Sequence, residues 1–169
     1  RLYKDNPYFV PPLYGDEKKM FKSKFVYNET CDFACFLAKK DGVTVGRIQA
    51  ILSRPSNEKT GEKRVRFTRF DAIDDYEVSD ALFNAVEKFA RSLGMDTICG
   101  PLGFSDLERE GLLVEGFEEL STFEEQYNYE YYGKLIERYG FVNEVEWVES
   151  KIYLPKTGIE DMQKMSDFV

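Results

Sequence analysis

The chain predicts a mixed α/β domain of the α+β kind, with a largely antiparallel sheet and helices on both faces. Three observations support this. RVRFTRFDAI (Arg64–Ile73) reads as a strand, DTICGP (Asp96–Pro101) starts another, and one amphipathic helix lies between them. Asp41-Gly42 separates two β-rich runs, a hairpin signal, because such a turn needs positive φ, which glycine adopts at little steric cost. An apolar content of 43% and an aromatic content of 15% in 169 residues suffice for one packed core.

In chain order, DNPYFVPPL (Asp5–Leu13) is rich in proline and aromatics and reads as an extended segment packed on the surface. GDEKKMFKSKF (Gly15–Phe25) reads as a short helix. FACFLAKK (Phe33–Lys40) and VTVGRIQAIL (Val43–Leu52) are the hairpin strands, and Ser53–Glu62 reads as a polar loop. After the strand Arg64–Ile73, Asp74, Asp75 and Glu77 sit where a helix begins, and Asp74 with Glu77 fits a capping box. Val78, Leu82, Ala85, Val86, Phe89 and Leu93 recur at three- and four-residue steps, one buried helix face. Gly94 closes that helix.

Gly100–Gly116 is loop-rich, with a short helix expected at Asp106–Glu110. The tyrosine-dense QYNYEYYG (Gln126–Gly133) leads into a helix over Tyr131–Tyr139, stopped by Gly140. NEVEWVES (Asn143–Ser150) and KIYLP (Lys151–Pro155) alternate and are expected as closing strands, Val145 and Trp147 on one face, Glu144 and Glu146 on the other. In GIEDMQKMSDFV, Ile159, Met162 and Met165 repeat at helical spacing. The expected division is one domain over 1–155, then a C-terminal helix or linker over 156–169 leading to a further domain. The first residue is Arg1 rather than Met, so an upstream start is also expected.

The net charge of −8 and pI of 4.8 oppose a general affinity for nucleic acid or anionic membrane. No apolar run approaches the roughly 20 residues of a membrane span, and no signal peptide is legible. Cys31, Cys35 and Cys99 are expected as buried, reduced thiols of a cytoplasmic protein. Neither CxxC nor a Cys/His cluster occurs, so no metal site is expected. The chain has no histidine, which excludes His triads and His bases. Acid–base chemistry would fall to Glu, Asp, Tyr, Lys, Cys, a terminal amine or water.

The order of elements resembles the GNAT (N-acyltransferase) superfamily, and the segments resemble a bacterial GNAT-like group. They are DNPYFVPPL, DGVTVGRI, FDAIDDYEV, GLLVEGF and YNYEYYGKLIERYGF, over roughly residues 5–155. The resemblance implies transfer of an acyl group from acyl-CoA or acetyl-CoA to an amine. In active GNAT enzymes a Gln/Arg-x-x-Gly-x-Gly/Ala turn cradles the CoA pyrophosphate on helix amides. The matching positions here are Ile73, Asp74, Asp75 and Tyr76, followed by Glu77, with no glycine and three carboxylates. The resemblance also implies a tyrosine four residues before the Gly of Gly140-Phe141. That position is Ile136, and Tyr132 lies one turn back, about 6 Å along the helix, as a candidate replacement acid.

Glu110 is the candidate general base for an amine, since Glu108 and Glu110 flank Arg109 in a loop. From Asp106 to Glu149 thirteen acids face three bases, which favours a cationic amine substrate if the segment lines a cleft. Arg54, Lys59, Lys63, Arg64, Arg66 and Arg69 form the one basic cluster, either a phosphate receiver or a solvated strand and loop. Tyr127, Tyr129, Tyr131 and Tyr132 either wall a pocket or fill the core. Two functions stay open at this point: a GNAT-like acyltransferase, or a catalytically silent GNAT-like domain that binds a ligand or supports a second domain or a homodimer.

Overall fold

β1 (Cys31–Lys40) and β2 (Val43–Ser53) pair antiparallel around the Asp41-Gly42 turn. Both turn residues have positive φ, 51° and 78°, as a two-residue hairpin requires. A computed structural model describes residues 2–153, together with Lys164 and Ser166. β3 (Arg64–Ala72) pairs antiparallel with β2, and β4 (Thr97–Cys99) runs parallel to β3, giving the order β1-β2-β3-β4. α3 (Tyr76–Ser92) makes the crossover between β3 and β4, and Gly94 at φ 72° ends it. α4 (Tyr131–Tyr139) ends at Gly140.

One face of the sheet holds the main core. Ile48, Ala50 and Leu52 of β2 and Val65, Phe67, Phe70 and Ala72 of β3 pack on Leu82, Phe83 and Val86 of α3 and Leu135 of α4. Phe67 and Phe83 are fully buried and meet edge-to-face at 5.3 Å. Burial of each contributes about 1.5–3 kcal/mol. The buried apolar stripe of α3 is Val78, Leu82, Phe83, Val86 and Ala90; Ala85, Phe89 and Leu93, expected in it, are half-buried at its edge.

The opposite face is covered more lightly, by the one-turn helix α1 (Tyr14–Glu17), a 3-10 turn (Lys19–Phe21) and a small aromatic cluster. There Phe104 and Ile51 pack with Phe25, Tyr27 and Phe33. Among the described residues no helix is long and apolar enough to cross a membrane.

Several expectations are corrected. Ser53–Glu62 is not all loop: Arg54–Thr60 forms α2, started by Pro55 in its first turn and stopped by Gly61 at φ 72°. The helix escaped periodicity because it buries no side chain. Gly15–Phe25 splits into α1 and the 3-10 turn, and Asp106–Glu110 is not helical. Asn143–Tyr153 forms no strand; Val142, Trp147, Val148 and Ile152 are exposed, so neither face of the alternation finds a core. Cys35 is exposed, not buried, because it points to the lightly covered face opposite Gln49. The remainder of KIYLP and the stripe Ile159, Met162 and Met165 lie outside the described residues.

Candidate functional site

The strand alternation of β3 slips once, and that slip builds the polar face. Gln49 opposes Thr68, but Arg47 opposes Asp71, so three steps of β3 match two of β2. This is a β-bulge, and Arg69 within it has φ 50°, a conformation that costs a non-glycine residue energy. Phe67 and Phe70 therefore share the core face, while Thr68, Arg69 and Asp71 turn to the other.

Asp71 is the hub at the end of β3. Its Oδ2 accepts from Arg47 Nε at 2.6 Å. The Tyr3 hydroxyl lies 3.0 Å from Asp71 Oδ1 and 2.9 Å from the Tyr132 hydroxyl. The Tyr132 hydroxyl accepts from the Ala72 amide at 3.2 Å, and Tyr131 donates to the Ala72 carbonyl at 2.8 Å. Burial first, then the Asp71 charge, holds both the Tyr3 and Tyr132 hydroxyls well above the usual tyrosine range. Tyr132 is 1% exposed and braces α4 against β3; its proton is held tightly and shielded from solvent.

Around Tyr132 the tyrosines fill space rather than wall a pocket. Tyr3 stacks on Phe9 at 4.3 Å and on Tyr129 at 5.0 Å, and Tyr127 is buried at their edges. The N-terminal segment is thereby stitched to residues 121–132: Tyr129 donates to the Leu2 carbonyl, and Ser121 bonds Tyr8.

Arg69 forms a second polar centre. Its Nη1 donates to Gln49 Oε1 at 2.9 Å and to Glu108 Oε2 at 3.4 Å. Its Nε and Nη2 edge holds the Glu17 carboxylate at 3.1–3.3 Å. The other arginines of the basic run are engaged too. Arg54 pairs with Asp32, Arg64 with Glu62 and Glu144, and Arg66 with Ser56 and the Gly103 carbonyl.

At the start of α3 the four candidate cofactor positions adjoin one another. Ile73 still donates to the Val45 carbonyl, Asp74 is exposed, and Tyr76 stacks beneath the Arg138 guanidinium. The cap is Asp75, not Asp74: its Oδ1 accepts from the Glu77 amide at 2.9 Å. With Asp75 as the cap, Glu77 is the second residue of α3 rather than the third, one step short of the position a capping box needs. The Lys40 hydrogen bond, at 3.0 Å, is the main cause that lowers the Asp75 carboxyl below its ordinary value. A helix amide that an incoming anion would need is thus already used.

Glu110 lies elsewhere. It is half-buried, burial pushes its carboxyl up, and its electrostatic neighbours are Arg66 and Asp106 rather than the groups around Tyr132. Beside β3 the parallel pairing stops at Arg66 and Cys99. From there the Leu102 amide reaches the Phe67 carbonyl at 2.8 Å, and the chain turns away past Gly100. Only glycine fits at Gly100, since an added Cβ would lie 2.3 Å from that carbonyl oxygen. Among the described residues no group of acids and cysteines is arranged to hold a metal ion.

Two bacterial proteins are similar to this chain. Protein YghO of Escherichia coli (strain K12) is 36% identical over 117 residues, 69% of the chain and 30% of the relative. A bacterial ceramide synthase of Caulobacter vibrioides (strain NA1000 / CB15N) is 32% identical over 120 residues, 70% of the chain and 31% of the relative. The chain therefore spans a little under a third of the length of these relatives. No family model matches the chain, and no solved structure does.

Sequence reasoning missed Tyr3, Glu17, Gln49, Asp71 and the special place of Arg69. One signal was present: Val65, Phe67, Phe70 and Ala72 break the period of two between Phe67 and Phe70. A strand whose apolar residues step by three once, inside an otherwise strict alternation, encodes a bulge.

Proposed function

We propose that this chain is part of a bacterial acyltransferase of GNAT-like type that joins an acyl group from a CoA thioester to an amine. The observation that carries the reading is the 32% identity to a bacterial ceramide synthase, since a ceramide is an amide. The bulged β3, followed directly by α3, is in keeping with it. In this reading the thioester lies beside β3 beyond Phe67, where β4 no longer flanks the strand. Strand amides there polarise the carbonyl, the amine attacks it, and the C–S bond breaks so that CoA leaves as a thiolate that takes its proton from water. Glu110, with a carboxyl raised by burial, receives the amine proton directly or through water. Tyr132 supports the frame and does not protonate the leaving thiolate.

The test is direct. Full-length protein is incubated with long-chain acyl-CoA and a long-chain amino alcohol, and the amide is sought by mass spectrometry. Amide formation that Glu110→Gln slows at least tenfold supports the reading, and no amide with any acyl-CoA or amine overturns it.

One observation favours a second reading, a catalytically silent ligand-binding or supporting domain. Asp75 already caps α3, and Asp74 and Glu77 add charge where a pyrophosphate would sit. Calorimetry with acetyl-CoA separates the two: no heat up to millimolar ligand favours the silent domain.

A further inference from the structure

We infer that Arg69, seconded by Arg47, is a binding site for the carboxylate of a small-molecule ligand, and that Glu17 of α1 occupies this site in the free protein. The inference does not depend on acyl transfer, because it rests on side chains on the sheet face opposite α3, and neither Glu110 nor the strand amides take part in it.

The guanidinium of Arg69 is fixed from behind. Gln49, itself 1% exposed, and Glu108 take its Nη1, so its Nε and Nη2 edge is presented as a ready fork. Such a fork matches a planar carboxylate through two parallel hydrogen bonds, and Glu17 engages it in this way with both oxygens. Arg47 adds a second cation, with Nη1 at 3.9 Å from Glu17 Oε2 while its Nε stays on Asp71. The bulge sets Arg69 at φ 50°, a strained conformation that the surrounding contacts must hold, a cost that ordinary sheet packing does not require.

The turn that carries the present occupant has little anchorage of its own, the nearest buried side chain being Met20 in the turn that follows. Glu17 comes from a single turn that buries no side chain and lacks a side-chain cap. Leu13 and Tyr14 beside it are more than half exposed. With Glu17 withdrawn, the acids that Arg47, Arg69 and the nearby Arg109 face among the described residues are Asp71 and Glu108, leaving one positive charge for an incoming anion. A ligand carboxylate would restore the balance that Glu17 now supplies. The first turn is thus an internal competitor, and ligand entry would release α1 from the sheet.

The test uses full-length protein, with propionate as the carboxylate probe, propionamide as its neutral isostere and inorganic phosphate as a second anion. Binding is read by ligand-detected NMR at low ionic strength. Glu17→Gln should bind propionate about tenfold more tightly than the wild type, because the internal competitor is gone. Propionamide should bind neither protein, and phosphate should bind more weakly than propionate. Arg69→Lys in the Glu17→Gln background keeps the charge but loses the fork, and should abolish the gain. Equal propionate affinity in the wild type and Glu17→Gln would overturn the inference, and that comparison stands even if Arg69→Lys fails to fold. A gain that survives Arg69→Lys, equal binding of propionamide, or a preference for phosphate would also overturn it.

Discussion

Replacing Tyr132 by phenylalanine separates a brace from a catalyst. The ring keeps its place against Phe70, 5.3 Å away, so the change removes only the hydroxyl. That oxygen accepts from the Ala72 amide at 3.2 Å, and Ala72 is fully buried. An amide left without a partner there costs about 1–3 kcal/mol. Tyr3 still reaches Asp71, so little else is orphaned. The expected loss is therefore about 2 kcal/mol, a fall in Tm of roughly 4–8 °C at this chain length. Urea unfolding should show a lower midpoint with an unchanged slope. Amide formation per folded molecule should stay within about threefold of the wild type, since a general acid contributes about 10²–10⁴-fold. A stability change below about 0.5 kcal/mol refutes the hydrogen-bond accounting. A loss of activity of a hundredfold or more in a protein of unchanged stability restores Tyr132 as the proton donor.

Three other outcomes are expected. Gly100→Ala would set a Cβ 2.3 Å from the Phe67 carbonyl oxygen and 2.8 Å from its ring, so urea unfolding should show a loss of about 3 kcal/mol; a loss under about 1 kcal/mol would mean that the loop yields. Folding lowers the Asp75 carboxyl, so its contribution is fully present above the unfolded value and disappears as pH falls through the lower folded one. The advantage of the wild type over Asp75→Asn in thermal melts should accordingly shrink on acidification, and a gap independent of pH would contradict this. Native protein should take up one maleimide per chain, on exposed Cys35, and Cys31 and Cys99 should react only in denaturant. Because partial desolvation beside the sheet outweighs the nearby Arg69 and Arg47 charges and raises the thiol of the otherwise exposed Cys35 above its usual value, its labelling should accelerate with alkalinity past neutral pH; labelling of all three cysteines in the native state would refute the burial pattern.

Local signals carried most of the fold. Asp41-Gly42, the stripe from Val78 to Leu93 and the stops at Gly94 and Gly140 each encode their element within a few residues, and each formed where expected. Alternation in Asn143–Tyr153 misled, because a strand needs a neighbour and a core as well as a pattern, and the described residues offer it neither. The candidate site was less legible. Glu110 and Tyr132 were named from chain position, yet they face different partners. The polar centres join Tyr3 to Asp71 and Glu17 to Arg69, pairs 68 and 52 residues apart, and no local period encodes such distances. The cap slipped by one residue for a simpler reason: adjacent aspartates at 74 and 75 satisfy the same rule, and only backbone geometry chooses between them.

The stitching of the first ten residues to the tyrosine segment has a consequence for biosynthesis. Leu2 meets Tyr129 across 127 residues of sequence. At about 5–20 residues per second, a ribosome needs roughly 6–25 s to add that length. During that interval Tyr3 and Phe9 exist while Tyr127 and Tyr129, which pack on them, have not been made. The hairpin and α3 can form meanwhile, but the N-terminal strap must wait unpaired. A chaperone that recognises short aromatic segments would find its best opportunity on this nascent chain there, and the strap would be the last part of the domain to close.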